Sequence, residues 1–282
     1  MKNSIYLFTC IDDYGLGKLH NKAIRNIIRT GLISGVTTFV GKNDSSSEAA
    51  KLLPVANNAN CQIGLHLDFL EFFPFIDKPS FISSDKFCAL FILFNLLGLT
   101  NKNEISEPIK KQIKIFKDIF KRPPDFIDGH YHLHQISSVR KILIDVLQKE
   151  KFNGWLRTTN MGYLKNNFNI IDSFKIAYLK KIGNESSLAF LNHFKTNSGF
   201  GGYCELGSSN NYASKLRNEL SSISSSSLFM LHPGSSEDVY QIDSHSPRAR
   251  DIETDWLLNN FEKDCKEFDI QITKDFNKIA LL

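Results

Sequence analysis

Acidic and histidine residues occur together in three short segments, each directly after an apolar run rich in β-forming residues. The segments are Asp12-Asp13-Tyr14-Gly15, Gly64-Leu65-His66-Leu67 and Asp128-Gly129-His130-Tyr131-His132-Leu133-His134. One carboxylate from the first segment and one imidazole from each of the others would form a hard, partly open coordination sphere. A divalent metal in such a site can hold a water molecule and polarise a carbonyl group. The sequence therefore predicts a metal site and hydrolytic chemistry.

The acidic pair Asp12-Asp13 has two interpretations. Adjacent carboxylates often cap a helix or solvate a turn, and the pair by itself does not decide between structure and chemistry. Its position favours chemistry, because the pair follows the apolar run 5–11 and neighbouring side chains at the end of a strand point in different directions. One carboxylate could then face a metal while the other faces the attacking water. His66, between two leucines, would on its own be better explained as a core histidine that hydrogen-bonds to a backbone carbonyl.

Three histidines alternate along the third segment. The pattern predicts a strand over residues 126–133, which would place His130, His132 and His134 on one face. A metal ligand with orienting neighbours explains this density of imidazoles better than a structural core does. The spacing does not decide which of the three binds the metal.

Two more polar residues follow apolar runs further along the chain. His232 precedes Pro233-Gly234, and it is either a residue at a strand end before a turn or a general acid that protonates a leaving amine. Arg157 is either a surface cation or a partner that keeps Asp12 ionised and oriented. The catalytic candidates are therefore one carboxylate of the pair Asp12-Asp13, together with Arg157 and His232.

Strand-forming runs alternate with segments of helical periodicity, which indicates how these residues are positioned. The predicted strands cover 5–11, 35–40, 61–67, 126–133, 154–157 and 228–231, and the predicted helices cover 21–30, 45–57, 105–120, 139–149 and 248–261. Repeated strand-then-helix units imply parallel strands with right-handed crossovers, and chemical residues at the carboxyl ends of strands are typical of a (β/α) barrel. An open doubly wound sheet is the alternative, but Gly15-Leu16-Gly17 is too short for a phosphate-binding loop. We therefore predict an α/β, (β/α) barrel-like fold.

The composition is that of an ordinary globular protein, with 282 residues, 42% of them hydrophobic, and a formal net charge of +4. We expect one domain over residues 1–282, with less regular insertions around 69–104 and 160–211. The basic residues are scattered and are not interleaved with aromatic residues, so no nucleic-acid partner is expected. The oligomeric state is not encoded in these features, and a homodimer is compatible with them.

The cysteines and the N-terminal residues bear on the cellular compartment. The cysteines form no CxxC pair, and they are Cys10, Cys61, Cys88, Cys204 and Cys265. This spacing predicts buried thiols in a reducing compartment. The first residues lead straight into the acidic pair without a secretory apolar region followed by a cleavage site. We therefore expect a cytoplasmic protein.

Residues 87–99 form the most apolar segment of the chain. The segment is shorter than the roughly 20 residues that a membrane-spanning helix requires, so no spanning helix is expected. The favoured interpretation is a buried or interface-packed helix. The other is an apolar lid or dock for a lipid-linked substrate.

Taken together, the motifs resemble those of the YdjC-like carbohydrate deacetylases, a family that includes chitooligosaccharide deacetylases. Residues 10–16 (CIDDYGL) are similar to its N-A-D-D-[FY]-G-[LM] opening, 64–69 (GLHLDF) to G-[LM]-H-x-x-L, 128–134 to D-[SG]-H-x-H-x-H, and 232–234 to C-H-P-[GA]. Arg248 with Glu253 resembles the family's late R-x-x-E-type helix. The chain departs from the pattern at Cys10-Ile11 and at Leu231, where the family usually has Asn-Ala and Cys. The departures leave every expected ligand in place, but the identity of the sugar is not readable.

The resemblance implies a (β/α) barrel-like fold of the glycoside hydrolase/deacetylase type that hydrolyses the N-acetyl group of an amino sugar, free or within an oligosaccharide or glycolipid. By position, Asp13, His66 and His130 match the metal ligands of the family. Asp12 matches its catalytic base and His232 its acid. One divalent ion is the implied cofactor, and an acetylated amino sugar is the implied partner. We expect magnesium or zinc, although an Asp/His/His set also accepts manganese or cobalt.

Two other functions remain open on sequence grounds. The chain could be another metal-dependent amidase, which would act on a different acyl amide. It could also be a barrel that binds an amino sugar without turning it over, because intact metal ligands do not guarantee chemistry. In the deacetylase interpretation, His132 and His134 would orient the ligands or contact the substrate.

Overall fold

The computed structural model describes residues 4–41, 44–70, 84–160, 170–203, 211–237 and 247–281. Within them a curled, mostly parallel sheet carries helices against its outer face, which confirms the predicted barrel-like α/β fold. The strands are β1 (Ile5–Tyr14), β2 (Gly35–Thr38), β3 (Gln62–Leu67), β4 (Phe126–Gly129), β5 (Trp155–Leu156), β6 (Thr196–Asn197), β7 (Phe200–Gly201), β8 (Ser227–Leu231), β9 (Ile270–Ile272) and β10 (Ala280–Leu281). The helices are α1 (Lys18–Ile28), α2 (Ser45–Asn58), α3 (Ser84–Leu96), α4 (Lys102–Phe120), α5 (Ser137–Lys149), α6 (Ile170–Leu191), α7 (Tyr212–Ser222), α8 (Pro247–Asn259) and α9 (Phe261–Glu267).

The strand order is β10-β6-β5-β4-β3-β2-β1-β8-β7, and β9 pairs with the start of β1. The pairs are parallel apart from β10 with β6. Strands β1 to β5 lie side by side in reverse chain order, as right-handed strand–helix–strand units produce. The carboxyl ends of these strands therefore gather at one end of the sheet, where the predicted site residues lie.

The sheet buries side chains on both faces. Leu7 and Ile11 of β1 pack with the helices, whereas Phe8 and Cys10 point to the concave side. This alternation is the two-residue period of a strand that is covered on both faces. On the concave side, the rings of Phe126 and Trp155 stack with centroids 4.1 Å apart.

Glycine allows this aromatic packing inside the curled sheet. A Cβ atom on Gly64 of β3 would lie 2.5 Å from the ring of Phe126, which is shorter than any normal contact. The interior is therefore filled by large side chains facing small ones, as in a barrel core.

Most predicted elements are confirmed within a few residues, and three differ in a way that matters. β1 continues through the acidic pair to Tyr14. The strand predicted over 126–133 is wrong beyond Gly129, because a 3₁₀ turn follows it (His130–Gln135). The predicted insertion 160–211 contains the long regular helix α6 and strands β6 and β7, while its residues 161–169 and 204–210 lie outside the described residues.

The apolar segment 87–99 forms most of helix α3 and the residues after it. Phe87, Cys88 and Phe91 are buried, whereas Leu96 and Leu99 are 70% and 65% exposed. One face of this segment is therefore packed and the other is open to solvent. Among the described residues, every helix is too short or too polar to cross a membrane.

Four of the five cysteines lie within the described residues, and all four are buried free thiols, as predicted: Cys10, Cys61, Cys88 and Cys265. Cys204 lies outside the described residues.

Candidate metal centre

The acidic pair lies on a distorted stretch of β1. The pairing register of β1 with β2 shifts between Ile11 and Tyr14, and Asp13 has a left-handed backbone (φ 67°). A bulge of this kind re-aims successive side chains, so Asp12 and Asp13 contact different partners. The Asn21 side chain accepts a hydrogen bond from the Gly15 backbone N–H at 2.7 Å and fixes the turn that follows.

Asp13 lies where three possible ligand atoms converge. Its Oδ1 is 3.4 Å from His66 Nε2 and 3.6 Å from His130 Nδ1, and the three atoms lie within 4.8 Å of one another. All three residues are buried, and Asp13 Oδ1 has no hydrogen-bond partner among the described residues. A buried carboxylate oxygen facing two imidazole nitrogens is the donor set that divalent cations accept. These residues therefore fit the predicted metal site.

The second oxygen of Asp13 is held by helix α8. Arg250 Nη2 donates to Asp13 Oδ2 at 2.8 Å, and both side chains are almost completely buried. Burial raises the pKa of Asp13, but the two imidazoles and the Arg250 guanidinium outweigh it and hold this pKa well below the usual range. Asp13 is therefore an anion with one oxygen fixed and the other directed at the histidines.

His66 is oriented by a carboxylate on the neighbouring strand. His66 and Asp128 are paired in the parallel register of β3 and β4, and His66 Nδ1–H donates to Asp128 Oδ1 at 2.6 Å. Burial lowers the pKa of His66, but the charge and hydrogen bond of Asp128, with Asp13 and Asp12 nearby, raise it to about 10. The Asp128 bond keeps Nδ1 protonated and leaves Nε2 facing Asp13.

The three histidines of residues 130–134 do not share a face, because they lie on the 3₁₀ turn. Tyr131 and His132 have left-handed backbones (φ 52° and 58°), which rotate successive side chains apart. His130 points to Asp13, and His134 Nε2–H donates to the backbone carbonyl of Arg157 at 2.8 Å. The structure thus brings His130 to the predicted metal site.

Arg157 is fully buried and pairs with the predicted base. Its Nη1 and Nη2 donate to the two oxygens of Asp12, each at 2.7 Å. Its Nη2 also lies 2.7 Å from Asp128 Oδ2. Of the two interpretations of Arg157, the structure therefore shows the partner of Asp12.

His232 lies beside the same carboxylate. Its Nε2 is 3.9 Å from Asp12 Oδ2, and its backbone N–H donates to Glu253 Oε1 at 2.8 Å. The Tyr212 hydroxyl donates to the other oxygen of Glu253 at 2.9 Å. Burial raises the pKa of Glu253 to about 7, although these hydrogen bonds and the Arg250 charge oppose the shift. Helix α8 thus holds the His232 backbone through Glu253.

The arginine of helix α8 that reaches the site is Arg250, whereas the resemblance to the family's late helix was drawn with Arg248. Arg248 is exposed, whereas Arg250 is completely buried and contacts Asp13. The spacing Arg250-Asp251-Ile252-Glu253 is itself R-x-x-E, so the signal was present two residues further along. A helix turns about 100° per residue, and two positions are enough to move a side chain from solvent to the site.

Known proteins resemble this chain in sequence over part or nearly all of its length. A family model described as YdjC-like protein matches residues 6–278. The chain is 26% identical to a carbohydrate deacetylase of Xenopus laevis over 50% of this chain and 47% of that protein. It is 28% identical to a chitooligosaccharide deacetylase of Yersinia pestis (strain Pestoides F) over 50% of this chain and 54% of that protein. The matched region thus spans about half the length of these curated relatives.

A solved structure resembles the whole fold. A protein of Enterococcus faecalis V583, named for a suggested role in cellobiose-phosphate cleavage, superposes with a TM-score of 0.63 at 17% identity. The match covers 99% of this chain and 100% of that chain. The arrangement of strands and helices is therefore shared over the full length.

Proposed function

Because this chain belongs to the YdjC-like protein family, we propose that it is a metal-dependent hydrolase that removes the N-acetyl group from an amino sugar and releases acetate. The observation that carries the proposal is the convergence of Asp13, His66 and His130 beside the Asp12 carboxylate. Arg157 donates hydrogen bonds to both oxygens of this carboxylate. The names of the relatives, carbohydrate deacetylase and chitooligosaccharide deacetylase, support the substrate class.

Asp13, His66 and His130 would hold the cation. A divalent ion in this position supplies a Lewis acid for the acetamide carbonyl and lowers the pKa of water. We propose magnesium or zinc, since both accept carboxylate and imidazole ligands. Arg250 and Asp128 keep two of these ligands in place by hydrogen bonds of 2.8 and 2.6 Å.

Asp12 is the proposed general base. Arg157 fixes both of its oxygens, so the carboxylate has one orientation, and the remaining lone pairs can accept a proton from the attacking water. His232 Nε2, 3.9 Å away, is the proposed general acid. It donates a proton to the sugar nitrogen as the amide C–N bond breaks, so that a neutral amine leaves and acetate remains.

Four buried free thiols support a reducing compartment, and we propose the cytoplasm as the site of action.

The first experiment measures bound metal by elemental analysis of the wild type and of Asp13→Ala. We expect about one divalent ion per chain in the wild type and loss of that ion in the variant. A wild-type protein that takes up no metal after incubation with divalent ions would refute the hydrolase mechanism.

The second experiment separates an enzyme from a sugar-binding barrel. Asp12→Asn should keep the metal and lose release of acetate from acetylated amino sugars, whereas a binding protein would be unchanged. His232→Ala should lose the alkaline limb of a bell-shaped pH–rate profile, because that limb reports the loss of the acid's proton. Full turnover with the alkaline limb intact in this variant would exclude His232 as the acid.

A further inference from the structure

Asp128 contacts both the proposed metal ligand His66 and Arg157, the partner of the proposed base Asp12. Its Oδ1 accepts the Nδ1–H of His66 at 2.6 Å, and its Oδ2 lies 2.7 Å from Arg157 Nη2. The same Nη2 donates to Asp12 Oδ2 at 2.7 Å. The four side chains form one chain of contacts, His66–Asp128–Arg157–Asp12, in which every member is at most 2% exposed.

The fold makes this chain of contacts continuous. His66 and Asp128 are register neighbours on the parallel strands β3 and β4, and Arg157 directly follows β5, the next strand. Three adjacent strands thus each supply one side chain at their carboxyl ends. Arg157 then reaches across to Asp12 on β1. The order of strands therefore dictates the order of contacts.

We propose that Asp128 is a positioning residue that couples the metal ligand His66 to the general base Asp12. It fixes the ring of His66 so that Nε2 faces Asp13, and it fixes the guanidinium of Arg157 that orients Asp12. This inference rests on the proposed function. It adds that a single residue orients both a metal ligand and the general base.

Asp128 is not better explained as a ligand of a second metal ion. Oxygens of Asp12 and Asp128 and a nitrogen of His66 also lie within 4.8 Å of one another. The Arg157 guanidinium, however, contacts both carboxylates at 2.7 Å and already neutralises this cluster. A cation placed there would face a fixed positive charge and would have to displace the 2.6 Å bond to His66.

The test compares Asp128→Asn with a matched control at the other end of the same strand. Asp128→Asn keeps the size and one acceptor oxygen but removes the charge. Asp125, next to the start of β4, also binds an arginine through both oxygens, Arg122 at 2.6 and 2.9 Å, but lies away from the site. Asp125→Asn should therefore leave metal affinity and turnover at the wild-type level.

The first readout is affinity for Zn²⁺, measured by competition with a chromophoric chelator. We expect Asp128→Asn to weaken Zn²⁺ binding about 10- to 100-fold, the usual effect of losing a carboxylate behind a ligating histidine. Unchanged affinity would overturn the link to His66. This readout requires no substrate, so it remains valid if the wild type binds Zn²⁺ but releases no acetate, an outcome that would refute the proposed function alone.

The second readout is turnover at saturating metal. Asp128→Asn should keep a kcat at least about 10-fold below wild type with KM little changed, because Asp12 stays poorly oriented when the metal site is full. Complete recovery of kcat at saturating metal would overturn the link to Asp12.

The link to Asp12 also has a readout without activity. In metal-free protein, the urea midpoints of Asp12→Asn, Asp128→Asn and the double variant form a cycle around their shared partner Arg157. Each substitution should lower the midpoint more when the other aspartate is already replaced than when it is made alone. The double variant leaves Arg157 buried without any carboxylate. Additive shifts would overturn the coupling.

Discussion

Replacing Arg157 by methionine should destabilise the protein far more than the same change at the partly exposed Arg122. Arg157 is 0% exposed and contacts Asp12 through two 2.7 Å bonds and Asp128 at 2.7 Å. Removing it leaves Asp12 buried without its paired cation and leaves Asp128 with only His66, at 2.6 Å. The other contacts of Asp12 are longer, with Thr37 Oγ1 at 3.4 Å and with Cys10 Sγ and His232 Nε2 at 3.9 Å.

The expected cost of Arg157→Met is about 3–5 kcal/mol, the range for breaking a buried ion pair by removing one partner. Methionine fills much of the space of the arginine stem, so the loss reports the uncompensated charge more than a cavity. The matched control is Arg122→Met. Arg122 also binds one carboxylate, Asp125, through two bonds, but its side chain is 32% exposed. Loss of an ion pair at such a site costs about 1 kcal/mol or less.

Urea unfolding at neutral pH, followed by circular dichroism in the presence of a chelator, measures both variants without a contribution from bound metal. The m-value must stay constant for the midpoints to be compared as free energies. The reasoning would be refuted if Arg157→Met cost less than about 1 kcal/mol, or no more than Arg122→Met, since burial would then not decide the energy of these pairs.

Three further changes have definite expected outcomes. Because the pKa of His66 is raised to about 10, metal binding near pH 8 must displace its proton, so affinity should rise with pH. Calorimetric titration in buffers of different ionisation enthalpy should show about one proton released per metal ion, and a buffer-independent heat would contradict this. Glu253 titrates near pH 7 in the folded protein against an ordinary value of 4.5, so its contribution to stability is full below about pH 4.5 and is lost as pH rises through 7. Relative to Glu253→Gln, the wild type should lose up to about 3 kcal/mol in urea unfolding between pH 4.5 and 8, and a constant difference would argue against a raised pKa. Gly64→Ala places a Cβ atom 2.5 Å from the Phe126 ring and should lower the free energy of unfolding by about 1–3 kcal/mol, measured by thermal unfolding. An unchanged melting temperature would mean that the aromatic side chains inside the sheet can shift to accommodate a methyl group at little cost.

The sequence predicted the elements and the functional motifs because both are local. The alternation of strand and helix patterns is visible within windows of about 10–20 residues, and it was sufficient to predict parallel strands with their chemical residues at one end. Asp12, Asp13, His66 and His232 were identified because each follows an apolar run. The resemblance to the YdjC-like family assigned them roles that remain proposals.

Local patterns were insufficient where the backbone leaves regular geometry. The alternation of His130, His132 and His134 indicated a strand, but Tyr131 and His132 adopt left-handed conformations that non-glycine residues seldom take. Such a conformation costs free energy locally and is retained because contacts elsewhere offset that cost. The Arg157 carbonyl, bonded to His134 at 2.8 Å, is one such contact.

The sequence by itself thus determined which residue types are available for chemistry, and in what order they follow the strands. Only the tertiary structure decided their pairing. Arg157 reaches Asp12 across 145 positions of the chain, and Arg250 reaches Asp13 across 237. Either interpretation of Arg157 was open from its neighbours, and the resemblance had matched Arg248, not Arg250, to the late helix of the family. The physical reason is that a buried charge is stable only beside its counter-charge, and strand order and helix rotation determine which residues meet in the interior.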